Sequence, residues 1–281
     1  MIVNHFENAT HFYKRVKSYL LQHEAHHNLI LGISDTLIRS PERFKSQPYL
    51  VSVEEDETLL AIALWTPPRK LVLSRSVNSL ALSAIAQDLH SRQEQLPGAI
   101  GPVPEAKAFA QSWQALTGQS YREDIAQRIY QLEAVQPIPK ASGNFRQATT
   151  DDRDLVIGWC KAFTEEAIDE AVDQQQTERL VDRHLSEETL YLWQDNVPVS
   201  MAACSGPTPN GIRINLVYTP PEHRKKGYAS SCVAALSQTL LDAGRQYCFL
   251  FTDLANSTSN HIYQTIGYQP VCDVNDYSFE G

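Results

Sequence analysis

Val217-Tyr218-Thr219-Pro220-Pro221-Glu222-His223-Arg224-Lys225-Lys226-Gly227-Tyr228-Ala229-Ser230 reads as a β-strand that passes through a proline turn into a basic, glycine-containing helix start. A helix N-terminus presents unpaired N–H groups and the positive end of the helix dipole. Gly227 and the small Ala229 let the backbone approach an anion closely, and Arg224, Lys225 and Lys226 add positive charge at the same point. The stretch therefore predicts a cradle for a phosphate or diphosphate.

The sequel extends this reading. Val233, Leu236, Leu240 and Leu241 recur at helical spacing between Ser230 and Ala243, and Gly244 stands where a helix C-cap belongs. Tyr247-Cys248-Phe249-Leu250-Phe251 is a short apolar run suited to a buried strand. It leads into Asn256, followed seven residues later by Tyr263 and four further on by Gly267 and Tyr268. Arg224-Lys225-Lys226-Gly227-Tyr228-Ala229 resembles the first signature of the GNAT acyltransferase superfamily, Arg/Gln-x-x-Gly-x-Gly/Ala, and the Asn256-to-Tyr268 spacing resembles its second. The resemblance implies acetyl-CoA as cosubstrate. Its pyrophosphate would rest on Arg224 to Ser230, its pantetheine along Val217, Tyr218 and Thr219, its CoA arm beside Asn256, and its thioester sulfur near Tyr263. Asn256 and Tyr263 also have a plainer reading, as a helix N-cap and as half-buried packing.

Composition narrows the rest. The chain has 281 residues, enough for two ordinary domains, and its 42% hydrophobic content excludes long disorder. A formal charge of −9 argues against general binding to nucleic acid or anionic membranes, while the three cations before Gly227 still suit one phosphate ligand. Cys160, Cys204, Cys232, Cys248 and Cys272 are odd in number and contain no C-x-x-C pair, which favours reduced thiols. Residues 1–20 lack an apolar targeting core and no run approaches a membrane span, so the expectation is a cytoplasmic protein. The oligomeric state has no sequence signal.

Gln136 to Asn144, rich in Pro, Gly and small polar residues, divides the chain into residues 1–135, a linker at 136–144, and residues 145–281. In the second part, Phe145 to Ala148 predicts a strand, Asp151 to Phe163 and Gln175 to Leu185 predict helices, and Thr189 to Gln194 with Val197 to Ala203 predicts a hairpin about Asp195-Asn196. With the strand at Ile212 to Thr219, the order becomes β-α-α-β-β-β-α-β-α-β. The first part repeats this plan in worn form: a hairpin at Tyr49 to Val53 and Thr58 to Trp65, a strand at Lys70 to Ser74, and helices at Leu80 to His90 and Ala106 to Leu116. Ser74-Arg75-Ser76-Val77-Asn78-Ser79, at the cradle's counterpart, has no glycine. The expected fold is thus α/β with mixed sheet, a GNAT fold in the second half and a degenerate GNAT-like domain in the first. An unrelated α/β domain with similar alternation would give the first half the same pattern.

Two further patterns call for a reading. His23-Glu24-Ala25-His26-His27 matches H-E-x-x-H literally, yet the apolar segment Asn28 to Gly32 that follows offers no third ligand, so no metal site is expected. The acid-rich stretch Glu165 to Asp173 could attract a cationic amine or form a solvated surface. By the resemblance, the chain transfers an acetyl group to an amine-bearing acceptor by direct attack on the thioester, with Tyr263 as the acid for the leaving thiolate. Where some family members carry a glutamate on the fifth strand, this chain has Phe251. That departure leaves the base to Glu165 or Glu166 through water, or to an amine that arrives neutral. It also keeps a second reading in play, a CoA-binding sensor without catalysis.

Overall fold

The computed structural model describes residues 1–167 and 173–280. Each half follows the same order of elements. The first contains β1 (Ile2–His5), α1 (Ala9–Leu21), α2 (Asn28–Arg39), β2 (Tyr49–Glu55), β3 (Thr58–Trp65), β4 (Leu71–Leu73), α3 (Ser79–Ser91), β5 (Gly98–Pro102), α4 (Val103–Thr117) and β6 (Ser120–Leu132). The second contains β7 (Asn144–Gln147), α5 (Arg153–Ala167), α6 (Gln174–Ser186), β8 (Leu190–Asp195), β9 (Val197–Ser205), β10 (Gly211–Tyr218), α7 (Tyr228–Asp242), β11 (Tyr247–Asp253), α8 (Ser257–Ile266) and β12 (Gln269–Glu280). The repeat read from the alternation of the first half is therefore present element for element. The expected hairpins and helices stand within a few residues of their predicted bounds.

All twelve strands form one sheet in the order β1-β2-β3-β4-β5-β12-β6-β11-β10-β9-β8-β7. Two pairs are parallel, β4 with β5 and β10 with β11, and they occupy equivalent places in the two halves. The centre of the sheet is an exchange. β6 leaves the first half to pair with β11, β12 leaves the second to pair with β5, and the two run antiparallel from Gln269↔Gln131 to Glu280↔Ser120. Their side chains serve the opposite half. Tyr130 and Leu132 are fully buried in the core beneath α7 and α8, and Tyr277 is buried against Ala106 and Ala110 of α4. Burying one such side chain is worth about 1.5–3 kcal/mol, so each half depends on a strand of the other.

Both faces of the sheet are covered, which explains why its inner strands read as nearly unbroken apolar runs. In the first half α3 and α4 pack on one face around Phe109 and Trp113, and α1 and α2 on the other around Phe12, Leu20 and Leu31. In the second, α7 and α8 cover Ile212, Ile214 and Leu250, while α5 and α6 cover Leu192, Met201 and Tyr218. The halves also meet away from the sheet. A Cβ added at Gly32 of α2 would stand 2.8 Å from the Cα of Gly206, so glycine at 32 permits close approach of that helix to the loop after β9.

Candidate active site

β10 and β11 pair only through Gly211↔Tyr247, Ile212↔Cys248 and Arg213↔Phe249, after which they part. On its other side, β10 breaks register with β9 between Asn215 and Tyr218, and Leu216 takes a left-handed φ of 48°. This bulge takes Leu216 and Val217 out of the ladder and turns the strand away from β11. The result is a notch in the sheet whose walls are the ends of two parallel strands. It opens into a cleft of about 2090 Å³ that is also lined by α2 of the first half and α6 of the second.

The predicted site residues cluster around this notch. Val217 lies in the bulge and Tyr218 ends β10. The Thr219 hydroxyl shares a 2.9 Å hydrogen bond with Ser200 Oγ. Gly227 is the N-cap of α7 with φ 78°, a left-handed conformation that costs a glycine little. It offers no side-chain cap to Tyr228, Ala229 and Ser230 of the first turn, and the first intrahelical amide bond is from Ser231 to the Gly227 carbonyl at 2.9 Å. The counterpart helix α3 differs: Asn78 caps Ala81 N–H, and Glu105 Oε1 accepts from Ser76 N–H at 3.0 Å. In the first half, a carboxylate already occupies the neighbourhood that the second half leaves open.

The cations are not equivalent. Arg224 donates to the Thr219 carbonyl at 2.8 Å and to Glu166 Oε2 at 2.6 Å, and Glu166 Oε1 accepts from the Tyr218 hydroxyl at 3.2 Å. Burial and the facing Glu166 carboxylate raise the Tyr218 phenol above its ordinary range. Lys225 lines the cleft at φ 63°, whereas Lys226 turns back to the Glu222 carbonyl and lies outside the cleft lining. Tyr228 directs its hydroxyl to Asp195 Oδ2 at 2.6 Å, so its phenol anchors the helix start to the β8–β9 turn.

Asn256 is the N-cap of α8, accepting from Ser259 N–H at 3.0 Å. Tyr263 is buried at the cleft wall, edge-on to Tyr268 with ring centroids 6.0 Å apart. Burial pushes its phenol up to about 12, and no hydrogen bond of its hydroxyl is found among the described residues. Of the acidic stretch from Glu165 to Asp173, Glu166 faces the cleft and Asp173 caps α6 through Gln176 N–H; Ile168, Asp169, Glu170, Ala171 and Val172 lie outside the described residues.

The H-E-x-x-H residues lie in the turn between α1 and α2 and not on a helix face. His27 donates from Nδ1 to the Leu20 carbonyl at 2.9 Å and accepts at Nε2 from Arg75 N–H, and His23 Nε2 accepts from the Arg75 guanidinium at 2.8 Å. Both nitrogens that a zinc ion would need are thus engaged by Arg75.

Solved structures share the whole architecture. A GNAT-family acetyltransferase from Colwellia psychrerythraea superposes over 100% of this chain and 99% of its own, with a TM-score of 0.58 at 12% identity. A tandem GNAT protein from the clavulanic acid biosynthesis pathway covers 99% of this chain and 97% of its own, at TM-score 0.57 and 11% identity. The chain has the GNAT fold. A Drosophila protein matches over 100% of this chain and 98% of its own at TM-score 0.68 and 11% identity. A family model described as FR47-like protein matches residues 198–277, which span the GNAT notch, the α7 start and α8. No curated protein matches the sequence.

Sequence reasoning missed Arg213, Arg69 and Arg183, which come to the same cleft from β10, from the segment between β3 and β4, and from α6. One signal was available: an arginine between Ile212 and Ile214 in a largely apolar strand.

Proposed function

We propose that this protein is an acetyl-CoA-dependent N-acetyltransferase whose cosubstrate site lies in the second half. The observation that carries this reading is the parting of β10 and β11 beside the uncapped start of α7. An extended pantetheine fits between parted strands, and a diphosphate fits against free amides at a helix N-terminus, where the dipole and Lys225 favour negative charge. The first half, with its own cap on α3, Glu105 at the turn and Arg75 held by two histidines, offers no equivalent seat.

In the proposed reaction the amine nitrogen attacks the thioester carbonyl. A C–N bond forms, the C–S bond breaks, and its electron pair leaves on sulfur. Backbone N–H groups at the bulge around Val217 would stabilise the oxyanion. Tyr263 keeps its proton at neutral pH because burial holds its phenol near 12, so it can donate a hydrogen bond to the departing sulfur. A thiolate with an ordinary pKa near ~8.5 is the weaker base of the two. Tyr263 therefore lowers the barrier by solvating the sulfur, and the thiolate takes its final proton from water. Both oxygens of Glu166 are engaged by Tyr218 and Arg224, which favours an amine that reaches the notch neutral and loses its second proton to water.

The test is a calorimetric titration with acetyl-CoA together with thiol release over a panel of amines. Saturable binding with acceptor-dependent thiol release supports the transferase, binding without release over a broad panel selects the CoA-sensor reading, and an absence of binding overturns both.

A further inference from the structure

The cleft carries positive charge that the described molecule leaves unbalanced. Arg213 projects from the last paired position of β10, at the vertex of the notch. Its guanidinium carbon lies 5.8 Å from the centre of the Phe251 ring, and Nη1 donates to Asn28 Oδ1 at 3.1 Å. Asn28 is neutral and fully buried. Burial, with the charge of Arg69 nearby, lowers the Arg213 guanidinium to about 10. Among the described residues, neither Arg213 nor Arg69 has a carboxylate partner, and every carboxylate of the cleft is engaged elsewhere. Asp35 holds Arg39, Glu187 holds Arg43, Glu166 holds Arg224, Asp173 caps α6, and Asp253 accepts from Ala255 N–H.

A half-buried guanidinium without a charged partner is costly, and the cost is offset when an anion arrives in bidentate geometry. Phe251 belongs to the splayed part of β11, beyond the last paired residue Phe249, so the guanidinium above it borders the space where a thioester in the notch would end. Asn215, on the same stretch of β10, has a buried Oδ1 without a hydrogen-bond partner and lines the same cleft.

We propose that the acceptor is a compact amine bearing an anionic group, a carboxylate or a phosphate, and that Arg213, with Arg69 beside it, receives that group. This rests on the acetyl-transfer reading and deepens it. A polycationic acceptor would meet repulsion from the same arginines. The enclosing wall comes from α2 of the first half, which gives that half a role in acceptor choice even though the start of its own α3 is capped by Asn78.

The experiment compares matched acceptors on the full chain: amino acids against their carboxamides, and phosphoethanolamine against ethanolamine, read by thiol release and by calorimetry on CoA-loaded protein. The expected result is that one anionic series is preferred at least tenfold in kcat/KM over its neutral partners. Arg213→Gln should raise the KM for that series at least tenfold, Arg213→Lys should restore part of it, and acetyl-CoA affinity should stay within about twofold in both. Because Arg213→Gln removes a half-buried charge that has no carboxylate partner among the described residues, it should fold with an unchanged or higher Tm, and Arg69→Gln, at an exposed position, provides a second variant. The carboxylate and phosphate arms decide between the two anions. Equal use of neutral or cationic amines, or an Arg213→Gln enzyme with wild-type preference, overturns the anionic acceptor while leaving the transferase intact. CoA-loaded protein that binds no anionic amine overturns it as well, and failure to bind acetyl-CoA at all would instead remove the reading beneath it.

Discussion

Glu24 grips Asn210 with both carboxylate oxygens: one accepts from the backbone N–H at 2.9 Å and the other from the side-chain amide at 2.7 Å. The contact joins the turn before α2 to the turn before β10, and so ties the first half to the strand that forms one wall of the notch. The glutamate of a metalloprotease-like motif acts here as a clamp between halves. Glu24→Ala leaves Asn210 N–H without its partner and should destabilise the protein by roughly 1.5–3 kcal/mol. Urea unfolding measures this, and a midpoint equal to wild type would mean the clamp contributes nothing.

The exchange of β6 and β12 bears on any attempt to divide the chain. A fragment of residues 145–281 lacks β6, which exposes the edge of β11 and removes Tyr130 and Leu132 from the core under α7. It should aggregate or self-associate and show no acetyl-CoA-dependent rise in Tm, whereas a fragment beginning at residue 118 should recover part of both properties. Size-exclusion chromatography with thermal melts distinguishes the two, and a monomeric 145–281 fragment that acetyl-CoA stabilises would contradict the dependence on β6.

Gly227→Glu should abolish acetyl-CoA binding, with Lys225→Ala weakening it only several-fold. A Cβ at Gly227 meets nothing nearer than Ala141 Cβ at 3.8 Å, so the variant has room to fold at the cost of its φ of 78°. Its carboxylate, however, would face the free amides of α7 and oppose a diphosphate, while Lys225 is one exposed, screened cation. Calorimetry on folded protein provides the comparison, and equal affinities for wild type and Gly227→Glu would remove the cradle.

Tyr263→Phe keeps the ring and its contact with Tyr268 but loses the hydroxyl. Acetyl-CoA affinity should change less than about threefold while single-turnover transfer slows roughly ten- to a thousandfold. An unchanged rate would make Tyr263 a packing residue only.

Acid should weaken the fold before the carboxylates titrate. Burial holds His27 and His184 down to about 4, below the ordinary histidine value of 6.5, with the neighbouring arginines opposing their charge. The unfolded chain binds protons on these residues first as pH falls from 6.5 to 4, so their stabilisation is complete above about 6.5 and is lost through that window, by on the order of 1–3 kcal/mol each. Urea midpoints measured from about pH 7.5 to about pH 4.5 should fall, and His184→Gln should flatten the slope. A flat wild-type profile across the window would show that these rings are accessible to protons in the folded state.

The local features of the second half were legible because they arise from local physics. The proline turn before Arg224, the left-handed glycine at 227, the N-cap at Asn256 and the glycine at 267 are each dictated by neighbours in the chain, and they appear where residue type demands. The alternation of elements in the first half was legible for the same reason. What the chain does with its last strands was not: nothing in the residue types of β6 and β12 says which half each joins, and only the assembled sheet shows that each crosses to the other. The fate of the H-E-x-x-H histidines was also decided in three dimensions, by an arginine forty-eight residues beyond His27 that occupies their free nitrogens. Arg213 shows the division most clearly. An arginine between two isoleucines marks the strand as unusual, but only the tertiary structure sets it beside Asn28, Phe251 and Arg69 with no carboxylate partner among the described residues.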